Sequence, residues 1–244
     1  MSSSGRLWLL PAYLNEQAKP DMFLPSACIQ IIQSIRYFAV ETPKIARHYL
    51  RAIGYVSDFS LTYLMPLNGD VSHTQMVDFL KPVKEGHDAA LLSDAGCPAV
   101  ADPGAHLVQL AHQLEIEVCP LVGPSSLLLA LMGSGLCGQR FCFHGYLPTD
   151  KNMRAQKIRL LEQESRQQSQ TQIMIETPYR NHVLFESLLL NMNSESLLCV
   201  AYDLHGPDQC IKTHTIQYWR THPVVFKKVP CVFLLNASFV TCKE

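Results

Sequence analysis

The chain has 244 residues, 48% of them hydrophobic and 17% charged, with a formal net charge of -1. That length buries a sizeable core as one large domain or two smaller ones, and ordinary apolar content without low-complexity tracts excludes a disordered chain. Near-neutral charge excludes a global basic field, so any contact with nucleic acid must rest on a local patch.

Residues 6–13 read as the first strand, which ends in Pro11-Ala12-Tyr13-Leu14-Asn15. A helix over 24–34 has Pro25 in its first turn, and a short apolar strand covers 37–40. Glu41-Thr42-Pro43 then looks like a helix start: a capping side chain, followed by proline where its missing N–H costs nothing. That helix stops at Gly54. Residues 61–65 suit a strand, and 71–84 an amphipathic helix that buries Met76, Val77, Phe79 and Leu80.

The stretch 91–126 organises the rest. Residues 89–92 are a buried strand broken by Ser93-Asp94-Ala95-Gly96. Asp102-Pro103 repeats the cap-then-proline start, and Leu107, Val108, Leu110, Ala111 and Leu114 follow at helical spacing. Residues 116–122 are strand-like until Gly123-Pro124-Ser125-Ser126 interrupts them ahead of an apolar helix. Two successive strand-to-helix junctions thus carry residues small enough to bring backbone against a ligand. In an open α/β sheet, ligands bind in the crevice outside the strand carboxyl ends.

A boundary is expected within 133–138, where three glycines separate apolar blocks. Beyond it come a strand over 141–146, a turn over 147–150 and a polar helix over 151–168. Lys151, Arg154, Lys157, Arg159 and Arg166 give that helix a positive side, either a solvated face or a phosphate-contacting patch. A strand over 171–175 runs into Glu176-Thr177-Pro178-Tyr179-Arg180, a third capped-proline start. A helix over 183–192 and strands over 196–202, 210–216 and 229–235 complete the chain. The expected architecture is α/β: two α/β domains with mixed sheets, 1–138 (doubly wound) and 139–244, and a cofactor cleft between them. Nine scattered cysteines, with no C-x-x-C pair, fit free thiols in a reducing cytoplasm. No apolar run approaches the roughly 20 residues of a spanning helix, so no membrane partner is expected.

No G-x-G-x-x-G opens the first helix and no G-K-[ST] occurs, which leaves dinucleotide and nucleoside-triphosphate chemistry without support. The spacing of His106 and His112, and of the cysteines, supplies no metal-ligand set, so no metal is expected. The motifs SDAGCPAVADPG (93–104), PLVGPSS (120–126), FCFHGYLP (141–148) and IETPYR (175–180), in that order, resemble the tetrapyrrole-methylase-type (class III) S-adenosylmethionine methyltransferases. Among these the chain is similar to the branch that methylates a ribose 2′-hydroxyl of small-subunit ribosomal RNA. The resemblance implies S-adenosylmethionine as cofactor, ribosomal RNA or the small subunit as partner, and a cytoplasmic homodimer. Implied cofactor contacts are Asp94, Ala95, Gly96, Pro98, Val100, Gly123, Ser125 and Ser126, and in the second domain Tyr146, Leu147, Glu176 and Ala201. Asp94, His144 and Asp203 are candidate bases by position, and Arg180, Lys151 and Arg154 candidate substrate contacts.

Three departures mark a divergent subfamily. The Thr-Pro-Ile-Gly-Asn-Leu turn of the family is Leu10-Pro11-Ala12-Tyr13-Leu14-Asn15 here, which keeps the proline and loses the glycine. His144 stands where an acidic residue is expected. Ala201-Tyr202-Asp203-Leu204-His205 lacks the lysine of the corresponding family segment. Two other readings stay open: methylation of a small molecule such as a tetrapyrrole, and a cofactor-binding interaction protein that has lost catalysis.

Overall fold

Ala89-Ala90-Leu91-Leu92 is buried at every position, as a strand covered on both faces must be. In the computed structural model, which describes residues 4–67, 69 and 71–238, this strand is the middle of the first of two compact units, Met1–Ser125 and Ser126–Glu244.

The first unit contains β1 (Arg6–Leu10), β2 (Tyr37–Val40), β3 (Tyr63–Pro66), β4 (Ala89–Leu92) and β5 (Glu117–Pro120), ordered β3-β2-β4-β1-β5. Among the described residues every ladder in it is parallel, and antiparallel pairing is confined to an isolated bridge between Ala12 and Gly96. Helices α1 (Ser26–Ser34), α2 (Pro43–Ala52), α3 (His73–Lys84) and α4 (Ala105–Gln113) cross between strands. Side chains alternate across the sheet with period two. Leu10, Phe38, Val40, Ala90 and Leu92 pack with Ile32 of α1 and Tyr49 and Leu50 of α2. Leu7, Ala39, Met65, Ala89 and Leu91 pack with Phe79 and Leu80 of α3 and Leu107 and Leu110 of α4. The helix after β2 therefore lies on one face and the helix after β4 on the other. These adjacent strands form a switch point, with a crevice at their carboxyl ends.

The second unit contains α5 (Ser126–Ser134), β6 (Phe141–Phe143), α6 (Lys151–Gln168), β7 (Thr171–Glu176), α7 (Asn181–Asn191), β8 (Leu197–Tyr202), β9 (Cys210–Thr215), α8 (Ile216–Thr221) and β10 (Cys231–Asn236). Its sheet, β6-β7-β10-β8-β9, is mixed: β6 and β7 are parallel, and the other pairs antiparallel. Helix α5 packs on this sheet. The Thr213 hydroxyl donates to the Ser134 carbonyl at 2.7 Å, and a Cβ on Gly133 would stand 2.7 Å from Ile211 Cδ1. The units consequently divide at Ser125–Ser126, ahead of the glycine-bearing segment 133–138.

The three proline starts behave differently from simple caps. Thr42 precedes α2, but its side chain makes no cap bond. Asp102-Pro103 does not begin α4, which starts at Ala105 behind Gly104 (φ 124°). A Cβ on Gly104 would meet Leu91 Cδ2 at 2.6 Å, so the chain turns there on a residue without a side chain. Thr177-Pro178 forms a separate turn, in which the Arg180 and Asn181 amides both donate to the Thr177 carbonyl at 3.0 and 3.1 Å, and α7 begins only at Asn181. By contrast Asp150 caps α6, accepting from the amides of Asn152 and Met153 at 3.0 and 2.8 Å.

Cys28, Cys97, Cys119, Cys142, Cys199, Cys210 and Cys231 are free thiols. Cys137 is disulfide-bonded. Cys242 lies outside the described residues. No helix among the described residues is long and apolar enough to cross a membrane.

Candidate cofactor site

The carboxyl-end loops of β1, β2, β4 and β5 meet along one edge of the first sheet. The loop after β1 is fastened to the loop after β4 by the Ala12 amide, which donates to the Gly96 carbonyl at 2.8 Å. It is fastened to α2 by the Tyr49 hydroxyl, which donates to the Pro11 carbonyl at 2.7 Å. The Cys97 thiol reaches the Pro124 carbonyl of the loop after β5 at 3.4 Å. A Cβ on Gly123 would fall 2.3 Å from Pro11 Cβ, so this loop lies on the β1 loop only because residue 123 is glycine. Gly96 adopts φ 69°, and a Cβ there would find Leu14 Cδ2 at 3.4 Å and the Pro124 carbonyl oxygen at 3.8 Å. Ala99 and Ala101 also have left-handed backbones, at φ 64° and 63°. Each costs alanine on the order of 1 kcal/mol, and such strain gathers at ligand clamps.

Three carboxylates converge at the β2–β4 crevice. Asp94 accepts from the Thr42 amide at 3.1 Å and from the Thr42 hydroxyl at 2.7 Å. Its own amide donates to Glu41 Oε2 at 3.0 Å. Asp102 is pushed up to about 6, chiefly by burial and next by the Glu41 charge, against a lowering hydrogen bond from Ser93. Thr42 is thus occupied by Asp94, and Asp102 by Ser93. That is the physical reason neither caps a helix in the way Thr-Pro and Asp-Pro suggest.

The structure brings Asp94, Ala95, Gly96, Pro98, Val100, Gly123 and Ser125 together around this edge. Ala95 and Val100 are exposed, whereas Gly96 and Pro98 are buried and offer backbone alone. Ser126 is the first residue of α5 and belongs to the second unit. Glu41, Thr42 and Asp102 are neighbours of this edge that sequence reasoning missed, because their signal was assigned to capping.

In the second unit β6, β7 and β8 run in one direction, so His144, Glu176 and Asp203 share a sheet edge. His144 Nε2 faces Gln172 Oε1 at 2.5 Å. Asp203, itself at φ 51°, accepts from the Asp208 amide at 2.8 Å. Glu176 is buried with an ion pair to Arg180 at 3.0 Å, and Arg180 also donates to the Leu147 carbonyl at 3.1 Å. Tyr146 is exposed, but Leu147 belongs to the core and Ala201 has no exposed surface. Arg154 does not join a basic face. It is buried, donating to Ser187 Oγ at 2.9 Å and to the Pro148 and Thr149 carbonyls at 3.2 and 2.7 Å. Lys151 is exposed at the start of the same helix.

An edge of glycine-permitted close approach rimmed by carboxylates suits a small ligand bearing positive charge, held largely by main-chain groups. No protein-family model matches the chain. It is 36% identical over 148 residues to the ribosomal RNA small subunit methyltransferase I of Synechocystis sp., covering 61% of this chain and 49% of that protein. It is 27% identical over 203 residues to the protein of the same name from Escherichia coli O157:H7, covering 83% of this chain and 66% of that one. The chain thus spans about half to two thirds of the length of these relatives. Among solved structures, the methyltransferase CobJ superposes with a TM-score of 0.61 at 16% identity, covering 96% of this chain and 94% of that one. Uroporphyrin-III-C-methyltransferase from Thermus thermophilus gives 0.54 at 14% identity, with the same coverage. The fold is that of the tetrapyrrole-methylase-type proteins. In sequence the chain is similar to the small-subunit ribosomal RNA methyltransferases I over part of their length.

Proposed function

We propose that this protein is an S-adenosylmethionine-dependent methyltransferase whose acceptor is a ribose 2′-hydroxyl of small-subunit ribosomal RNA. The observation that carries the reading is the first-unit edge, where Glu41, Asp94 and Asp102 rim a crevice that Gly96 and Gly123 keep narrow. Similarity to named ribosomal RNA methyltransferases supports the choice of acceptor. When bound, S-adenosylmethionine supplies an electrophilic methyl group on a sulfonium. A carboxylate rim favours that cation and the ammonium of the same molecule.

The chain's own task is alignment, since holding acceptor and donor in line supplies on the order of 7–11 kcal/mol at best. Ala95, Gly96, Pro98, Val100, Gly123 and Ser125 are the proposed cofactor contacts at the first-unit turns, and Ser126 is one at the start of α5. The proposal extends to Tyr146, Leu147, Glu176 and Ala201, of which Tyr146 alone presents a largely exposed side chain. A hydroxyl acceptor must also lose a proton. Asp94, His144 and Asp203 remain the candidates, held among others by Thr42, Gln172 and the Asp208 amide respectively. Lys151 and Arg180 are the proposed contacts to RNA phosphate, without Arg154. A homodimer in the cytoplasm is part of the same reading.

Mapping 2′-O-methyl groups on small-subunit ribosomal RNA from cells with and without the gene tests the proposal. One ribose should lose its methyl group in the deletion and regain it on complementation. An unchanged map would remove RNA as the acceptor and favour a small molecule.

A further inference from the structure

We infer that Tyr13 is a ligand-contacting residue of the first-unit edge, its phenolic oxygen accepting a hydrogen bond from the ammonium at the amino-acid end of S-adenosylmethionine. The inference rests on the cofactor reading above and adds to it a side chain that the motifs do not assign.

Tyr13 is 4% exposed, yet its hydroxyl is buried with no hydrogen-bond partner. Buried polar groups are nearly always paired, and an unpaired one calls for a specific explanation. Packing alone does not provide it. The ring sits edge-on to Tyr49 and Phe23, with centroids 5.2 and 6.1 Å away, contacts that phenylalanine would make equally well. The neighbouring tyrosine shows the difference, because Tyr49 donates its hydroxyl to Pro11.

The backbone brings residue 13 beside the turn after β4. Ala12, the preceding residue, is bonded to Gly96 in the turn after β4. Burial, then the charges of Glu16 and Asp94, push the Tyr13 phenol up. At such a place the phenol keeps its proton, and its oxygen has lone pairs for a donor. A cation with N–H donors satisfies both the orphan oxygen and the surrounding negative charge. A ligand carboxylate there would face Asp94 and Glu41.

Tyr13→Phe keeps the ring and removes only the orphan atom. Binding of S-adenosylhomocysteine and of methylthioadenosine, which lacks the amino-acid end, is measured by calorimetry on wild type and variant, with a melting curve of each free protein. The variant should melt no lower than wild type, bind S-adenosylhomocysteine about tenfold more weakly, and bind methylthioadenosine unchanged. Unchanged affinity for S-adenosylhomocysteine, or an equal loss for both ligands, overturns the inference. A clearly lower melting temperature overturns it as well, because the hydroxyl would then have an internal partner. Should wild type bind neither ligand, it is the cofactor reading that fails.

Discussion

The hydroxyl of Thr42 donates to Asp94 Oδ2 at 2.7 Å while the Thr42 amide donates to Oδ1 at 3.1 Å. This pair ties the start of α2 to the turn after β4, across the crevice where the two connections leave on opposite faces of the sheet.

An asparagine at position 94 can accept only one of these two bonds. Asp94→Asn is expected to cost about 1.5–3 kcal/mol, the range for a hydrogen bond to a charged group, and Thr42→Val less, since the amide remains. Denaturant unfolding of both variants measures this. A Thr42→Val protein as stable as wild type would show that the hydroxyl contributes nothing.

Asp102 gives a pH dependence with a definite sign. Its carboxyl is raised from 3.8 to about 6 in the folded chain, first by burial and then by Glu41. Between those values the folded state holds more proton than the unfolded one, so its contribution to stability falls as pH rises through this window. Asp102→Asn should therefore stabilise the protein more at pH 8 than at pH 5, by on the order of 1 kcal/mol after allowance for solvent screening. An equal effect at both pH values would contradict the assignment.

The two site glycines should respond differently. A side chain at Gly123 would collide with Pro11 at 2.3 Å, so Gly123→Ala displaces backbone and lowers stability together with any binding. Gly96→Ala meets nothing closer than 3.4 Å and bears mainly the strain of φ 69°, about 1 kcal/mol. Melting curves should rank Gly123→Ala well below Gly96→Ala. The reverse order would show that the loops after β1 and β5 are not in close contact.

Much of this was legible in the sequence. Helix α6 was read at its observed bounds as a long polar run after the 147–150 turn, whose last residue, Asp150, caps it. The strand Ala89–Leu92 was readable because both its faces are buried and every position is apolar. Thr42, Asp102 and Thr177 misled for a shared reason. A short polar side chain before proline is a cap by local rules, but here a tertiary partner or a separate turn takes it. Arg154 misled in another way. Nothing in a basic helical sequence tells that one guanidinium turns inward to Ser187 and two carbonyls. The short helix α8 was also missed, as six residues capped by Thr215 carry too little periodicity to read.

Arg154 and Lys151 separate structure from substrate contact. Arg154→Met leaves two carbonyls and a hydroxyl without their donor and should destabilise by about 2–4 kcal/mol. Lys151→Ala should leave stability unchanged and weaken RNA binding with a shallower salt dependence. Unfolding curves and binding titrations at two salt concentrations distinguish them. A stable Arg154→Met protein with impaired RNA binding would reverse the assignment.

On the proposed function, the first-unit edge holds a cationic methyl donor. Isothermal titration of the purified chain with S-adenosylmethionine tests this most directly. The account predicts saturable binding that Asp94→Asn weakens. Absence of binding by both S-adenosylmethionine and S-adenosylhomocysteine would contradict it.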